Sequence, residues 1–218
     1  MAATRRPEST TVLLVRHGST PTTGKVLPGR APGLHLADLG RAQAEVVADR
    51  IATLTGVEAV YASPLERARE TAAPIAKACG LRVRGEAGLT ECDFGDWTGR
   101  QIATLARRKD WQTVQRAPSM FTFPGGESFA GMQLRMTEAI AGLCARHPGG
   151  TIVAVSHADT IKAAAAAALG TPLDLFQRIV ISPCSITAVR YAPTGPVVLA
   201  VNSTGADLAR SIPSDKQR

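Results

Sequence analysis

Two stretches of this chain are apolar without interruption. Val12-Leu13-Leu14-Val15 and Thr151-Ile152-Val153-Ala154-Val155 are rich in β-branched residues, the pattern of strands buried in the interior of a sheet. Each run stops at a polar group, Arg16-His17-Gly18 in the first and Ser156-His157 in the second. Shorter strands are predicted over Glu58–Ala62 and Leu81–Arg84. Ile186–Tyr191 and Pro196–Val201, separated by the turn-prone 192–195, predict an antiparallel hairpin at a sheet edge.

Between the strands the apolar spacing changes to the helical period. A helix capped by Asp38 is predicted to run to about Leu54 and to close at Gly56. A second opens at Ser63-Pro64, with Ser63 as N-cap, Pro64 in the first turn and Glu66 completing a capping box. A helix of about three turns is predicted from Thr98. A long one runs from Glu127 to about His147, with Met132, Met136, Ile140 and Leu143 on one face, and another from about Thr160 to Leu169. The Gly- and Pro-rich loop Ser19–Leu36 starts at the His17 edge and is expected to line a pocket. Strands alternating with helices predict an α/β fold: a three-layer α/β/α sandwich with a mainly parallel central sheet. It is expected to be a single domain, 1–218, with a short lid insertion at about 98–126 and frayed tails at about 1–9 and 207–218.

Composition narrows the function classes. The chain of 218 residues is 44% hydrophobic and 20% charged, an ordinary globular balance. Its four cysteines form no CxxC pair and are expected to be reduced thiols, in a cytoplasmic protein. No apolar segment precedes the first strand, which argues against a signal peptide, and Ala163–Leu169 is too short to span a bilayer, so no membrane partner is expected. The net charge is +7, yet the only basic run is Arg107-Arg108-Lys109 and aromatics are 4%, which argues against nucleic acid. A basic balance suits a small anionic substrate through electrostatic steering.

The chemistry concentrates where the interior strands end, because ligands bind at the carboxyl edge of open α/β sheets. A histidine there serves as nucleophile, base or metal ligand, and the adjacent Arg16 presents a rigid fork suited to phosphate. The chain has no DxD, no HExxH and no glycine-rich phosphate loop, so neither a metal nor a nucleotide cradle is implied. No Gly-x-Ser-x-Gly surrounds Ser156, which argues against a serine hydrolase. His35 and His147 are expected on the surface.

Four segments carry a more specific signal: Arg16-His17-Gly18, Ser63-Pro64-Leu65-Glu66-Arg67-Ala68, Leu89 to Trp97 (with Glu91, Asp93 and Asp96), and Val155-Ser156-His157-Ala158-Asp159. In that order the chain, from about Val12 to about Asn202, resembles the histidine phosphatase (phosphoglycerate mutase-like) superfamily. The resemblance implies a metal-independent phosphatase that needs no cofactor and acts on a small phosphomonoester through a phosphohistidine. It makes His17 the nucleophile. Arg16, Arg67 and a protonated His157 neutralise the phosphate, and Glu91 is the general acid, with Asp93 and Asp96 as alternatives. Gly18, Thr23 and Gly29 are the candidate substrate-binding positions. Thr23 stands where the family usually has an asparagine. Two other functions remain compatible with the motifs, a cofactor-dependent phosphomutase and an inactive phospholigand binder. The short Glu91-to-Glu127 segment and Pro124-Gly125-Gly126-Glu127-Ser128 resemble the phosphatase branch. A homodimer is compatible with the sequence.

Overall fold

The structure is a computed structural model and describes residues 9–205. Both polar tails, Ser9 apart, lie outside the described residues. Six strands form one sheet: β1 (Thr10–Arg16), β2 (Val57–Ala62), β3 (Val83–Gly85), β4 (Thr151–Ser156), β5 (Ile186–Ala192) and β6 (Gly195–Ser203). Their order is β3-β2-β4-β1-β5-β6. The first four are mutually parallel, and the β5–β6 hairpin closes one edge antiparallel to β1. The apolar runs read from the sequence are the two central strands, with Leu13 facing Val153 on one side and Ala188 on the other.

The helices of the described residues are α1 (Asp38–Ala52), α2 (Glu66–Ala78), α3 (Ile102–Leu105), α4 (Lys109–Arg116), α5 (Phe129–Arg146) and α6 (Ala158–Leu169). Alternation along the central strands sorts the layers. Leu13, Val15, Val153 and Val155 point to α1 and α2, where they meet Val47, Ile51, Ala72 and Ile75. Val12, Leu14, Ile152 and Ala154 point to α5 and α6, where they meet Met136, Ile140, Leu143 and Ile161. All of these are buried, and each large aliphatic side chain contributes about 1.5–3 kcal/mol by leaving water. The fold is therefore the predicted three-layer sandwich. None of the helices among the described residues is long and apolar enough to cross a membrane.

Helix starts differ from the sequence-based expectation. Asp38 is the first residue of α1 rather than its cap; Ala37 holds the cap position and the Asp38 carboxylate pairs with Arg41 at 2.8 Å. The second helix begins at Glu66, two residues later than expected, with Leu65 at the cap and no side-chain cap bond. Ser63 is free to do something else because it is not capping. The three-turn helix expected from Thr98 is instead two short helices, α3 and α4. The long helix does carry a side-chain cap, Ser128 Oγ accepting from Gly131 N at 2.9 Å.

The 98–126 segment sits on an apolar cluster of its own. Phe94, Trp97, Phe121, Phe123, Phe129 and Phe176 stack edge-on or tilted in a continuous series, with adjacent ring centroids 4.9–5.4 Å apart. Ring burial, rather than backbone regularity, holds this segment down.

Candidate active site

His17 follows β1 directly, and its backbone N–H still donates to Ser156 O at 3.0 Å, so the sheet fixes its position. Its Nδ1 lies 2.7 Å from Gly18 O. A carbonyl can only accept, so Nδ1 carries the proton and Nε2 keeps its lone pair. Burial, helped by Arg67 and Arg16, pushes the imidazole down to about 3. His17 is therefore neutral across the physiological range, which is the form a nucleophile requires.

The first turn of α2 brings Arg67 beneath this edge. The side chain is completely buried, an unusual place for a guanidinium. Its Nη2 donates to Gly29 O at 2.8 Å, while its Nε and Nη1 have no partner. Arg16 donates from Nη1 to Ile181 O at 2.7 Å and leaves its Nε unpartnered. His157, the residue before α6, is also fully buried, with its ring centroid 5.2 Å from that of His17. Its Nε2 is 2.8 Å from Ser63 Oγ, which explains why Ser63 does not cap α2. The other ring nitrogen, Nδ1, has no hydrogen-bond partner. Burial and the cations Arg67 and Arg16, with His17 beside them, depress His157 well below the ordinary histidine value. The protonated form expected for His157 is thus disfavoured, by its burial and by the two guanidiniums at the same edge.

Glu91 reaches the same cavity from the loop after β3. It is buried, accepts from Cys92 N at 3.0 Å, and has Oε2 3.9 Å from His157 Nδ1. Burial and the nearby Asp159 raise it to about 7, against the opposing pull of Arg67 and Arg16. The alternatives are placed elsewhere: Asp93 pairs with Arg30 at 3.7 Å and accepts from Gly95 N, and Asp96 is exposed. The Glu91 backbone is braced. Arg30 Nε donates to Glu91 O at 2.8 Å, Arg135 Nη2 does so at 3.4 Å, and both arginines are held by Glu127.

Arg16, His17, Thr20, Thr23, Glu91 and Asp159 all line a cavity of about 330 Å³. Thr23 Oγ1 accepts from Thr20 N at 2.8 Å, so it shapes the loop end as well as facing the cavity. Gly18 and Gly29, predicted to bind substrate, do not line it. Gly18 instead supplies the carbonyl that orients His17, and its N–H donates to Thr71 Oγ1 at 3.0 Å. Gly29 supplies the carbonyl that anchors Arg67, from a backbone with φ of 53° that favours glycine. Asp159 and Lys162, one turn apart on α6, also line the cavity. Sequence reasoning gave neither a role; a helix beginning at a candidate site histidine was the signal that its next turn faces the same space. His147 is not on the surface as expected. It is mostly buried, bonded to Tyr61 OH at 3.0 Å.

Residues 12–204 match the family described as the histidine phosphatase superfamily (branch 1). The chain belongs to this superfamily. As a histidine phosphatase it has varied relatives. An uncharacterized protein of Mycobacterium tuberculosis is 41% identical over 156 residues, 69% of this chain and 74% of its own. A probable phosphoglycerate mutase of Klebsiella pneumoniae is 33% identical over 183 residues, 83% of this chain and 84% of its own. Among solved structures, a phosphoserine phosphatase of Entamoeba histolytica, in complex with phosphoserine, superposes with a TM-score of 0.81 at 28% identity. That match covers 91% of this chain and 100% of the other.

Proposed function

We propose that this histidine phosphatase hydrolyses a small phosphomonoester through a phosphohistidine on His17, without a metal ion or cofactor. One observation carries the proposal. Three buried guanidinium donors beside His17, Arg16 Nε and Arg67 Nε and Nη1, have no protein partner, and neither does the ring Nδ1 of His157, whose centroid lies 5.2 Å from that of His17. A buried donor left unpaired costs about 1–3 kcal/mol, more when charged, so a set of them marks a place built for an anion. Fixed donors that await charge also need no reorganisation when the phosphoryl group transfers.

In the first step the His17 Nε2 lone pair attacks phosphorus, and the bond from phosphorus to the leaving oxygen breaks. Glu91, neutral below about pH 7, gives its proton to that oxygen. In the second step the Glu91 carboxylate takes a proton from water as the water oxygen attacks phosphorus. The nitrogen–phosphorus bond breaks, inorganic phosphate leaves, and both residues return to their starting forms. Arg16, Arg67 and His157 hold the phosphoryl oxygens throughout. A bound dianion favours protonation of His157, against the burial and the guanidiniums that disfavour it. We place the enzyme in the cytoplasm, with neither nucleic acid nor membrane as partner.

The test is a rapid quench in alkaline denaturant with a 32P-labelled aryl phosphate. The wild type should carry protein-bound label that is acid-labile and alkali-stable, as a phosphohistidine is. His17→Ala should carry none and release no phosphate at unchanged thermal stability. A folded His17→Ala protein that still turns over excludes this mechanism.

A further inference from the structure

The catalytic cavity continues past Glu91 and Asp159. A second lobe of about 210 Å³ opens from it, and Leu27, Phe94, Ile102, Asp159, Lys162 and Gln177 line both. Beyond this waist the second lobe is walled by Trp111 and Val114 of α4 and by Phe123 and Phe129 of the aromatic cluster.

Charge at the waist is already satisfied. Lys162 Nζ donates to Asp159 Oδ1 and to Gln177 Oε1, both at 3.1 Å, and lies 5.9 Å from the Phe176 ring centroid. Among the described residues that line either lobe, the cations are Arg16 and Lys162. Arg16 stands at the phosphate end beside His17. The leaving-group end therefore presents an internally paired cation and apolar walls. A carboxylate or second phosphate carried there loses its water and gains no free cation, or else has to break the Lys162–Asp159 pair. An apolar group carried there displaces water from the rings and aliphatic side chains instead, which is favourable.

We infer that the alcohol released by this enzyme carries an uncharged apolar body, of about the size of an aromatic ring, which occupies the second lobe, and that it carries no second anionic group. The inference rests on the phosphatase reading above and adds the class of substrate. It sets this chain apart from enzymes whose substrates bear a carboxylate beside the phosphate. It also counts against mutase turnover, which has to hold a ligand by two anionic ends.

Three esters of primary alcohols separate binding from leaving-group chemistry: 2-phenylethyl phosphate, ethyl phosphate and 3-phosphoglycerate. With the full-length enzyme, kcat/KM for 2-phenylethyl phosphate should exceed each of the others by about tenfold or more, the order of discrimination an apolar pocket gives. Gln115→Trp places bulk at a position that borders only the second lobe, and should lower that rate toward the ethyl phosphate rate. A preference for 3-phosphoglycerate, or equal rates on all three, overturns the inference while leaving the phosphatase reading intact. The wild-type ratios decide this without the variant. No phosphate release from any of the three by folded enzyme overturns both.

Discussion

The phosphate end of the cavity and the 98–126 segment that borders its other end are held by opposite kinds of force. At the phosphate end, each side chain leaves the end of a regular element and is fixed by a directed bond: His17 by Gly18 O, Arg67 by Gly29 O, His157 by Ser63. These bonds orient donors that remain unpaired, so the region stores unfavourable desolvation until an anion arrives. The 98–126 segment has two short helices and rests on stacked rings. On the proposed function, one region is organised for charge and the other for burial. Mutations should separate them.

Arg67→Met tests the charged side most severely. The side chain stays similar in shape, so the fold should survive. Activity on any phosphomonoester should fall by about 10³-fold, the scale for losing a preorganised donor set. Thermal stability without ligand should be no lower than wild type, because a buried uncompensated cation is removed. A marked drop in melting temperature would show that Arg67 supports the fold rather than the phosphate.

Phe123→Ala tests the apolar side. Phe123 is fully buried and touches four other rings, so its loss should cost about 3–5 kcal/mol of unfolding free energy, read by denaturant titration. Below the midpoint, kcat for ethyl phosphate should stay within a few-fold of wild type. Loss of chemistry without loss of stability would merge the two regions into one.

Glu91→Gln comes next in size. Alkyl phosphates should slow by about 10²-fold, and aryl phosphates with good leaving groups by less. The sign of the pH dependence follows from the proton Glu91 must carry. With its carboxyl held at about 7, wild-type kcat/KM on alkyl phosphates falls as pH rises through 7, and the Gln variant lacks that limb. His17, lowered to about 3, adds no loss of nucleophile between pH 7 and pH 4. Its contribution to stability runs the other way: the unfolded chain binds a proton below about 6.5 that the fold excludes, so stability declines as pH falls through that window.

The smallest effect is expected at Arg108, the centre of the one basic run. Its guanidinium lies 5.5 Å from the ring centroid of the buried Trp97 and pairs with Asp110 at 3.0 Å, both charged side chains being about half exposed. Arg108→Ala should cost about 0.5–1 kcal/mol of stability and leave turnover unchanged. A large rise in KM would give the basic run a role in substrate capture.

The contrast between the two regions also explains what was legible in the sequence. The central strands and the charged residues at their ends were readable because burial on both faces imposes an unbroken apolar run, and a break at Arg16-His17 is conspicuous. The edge hairpin and the long helix followed from the same periodicities. Helix starts were less readable because short polar residues serve several partners. Ser63 has the spacing of a capping residue but faces His157, and Glu66 accepts from Gly33 N at 3.0 Å instead of closing a capping box. The 98–126 segment was the least readable: its helices are too short for a period to show, and its order comes from rings that meet only in the tertiary structure. Asp159 and Lys162 were missed for a related reason, since a charged residue one turn into a helix looks solvent-facing until the neighbouring loop is in place.

The glycine at position 18 has a partner in Gly40 of α1. A side-chain carbon on Gly18 would come within 2.5 Å of Gly40 O, and one on Gly40 would collide with Ser19 O. The two backbones touch, and Ser19 O further accepts from Ala37 N at 2.9 Å. For evolution this is a lock with two keys. Neither position can accept a larger residue first, because either change alone drives one backbone into the other, so single-step mutation has no route out. The turn after His17 and the start of α1 must then drift together or not at all, and directed-evolution libraries aimed at new substrates gain more by leaving both codons untouched.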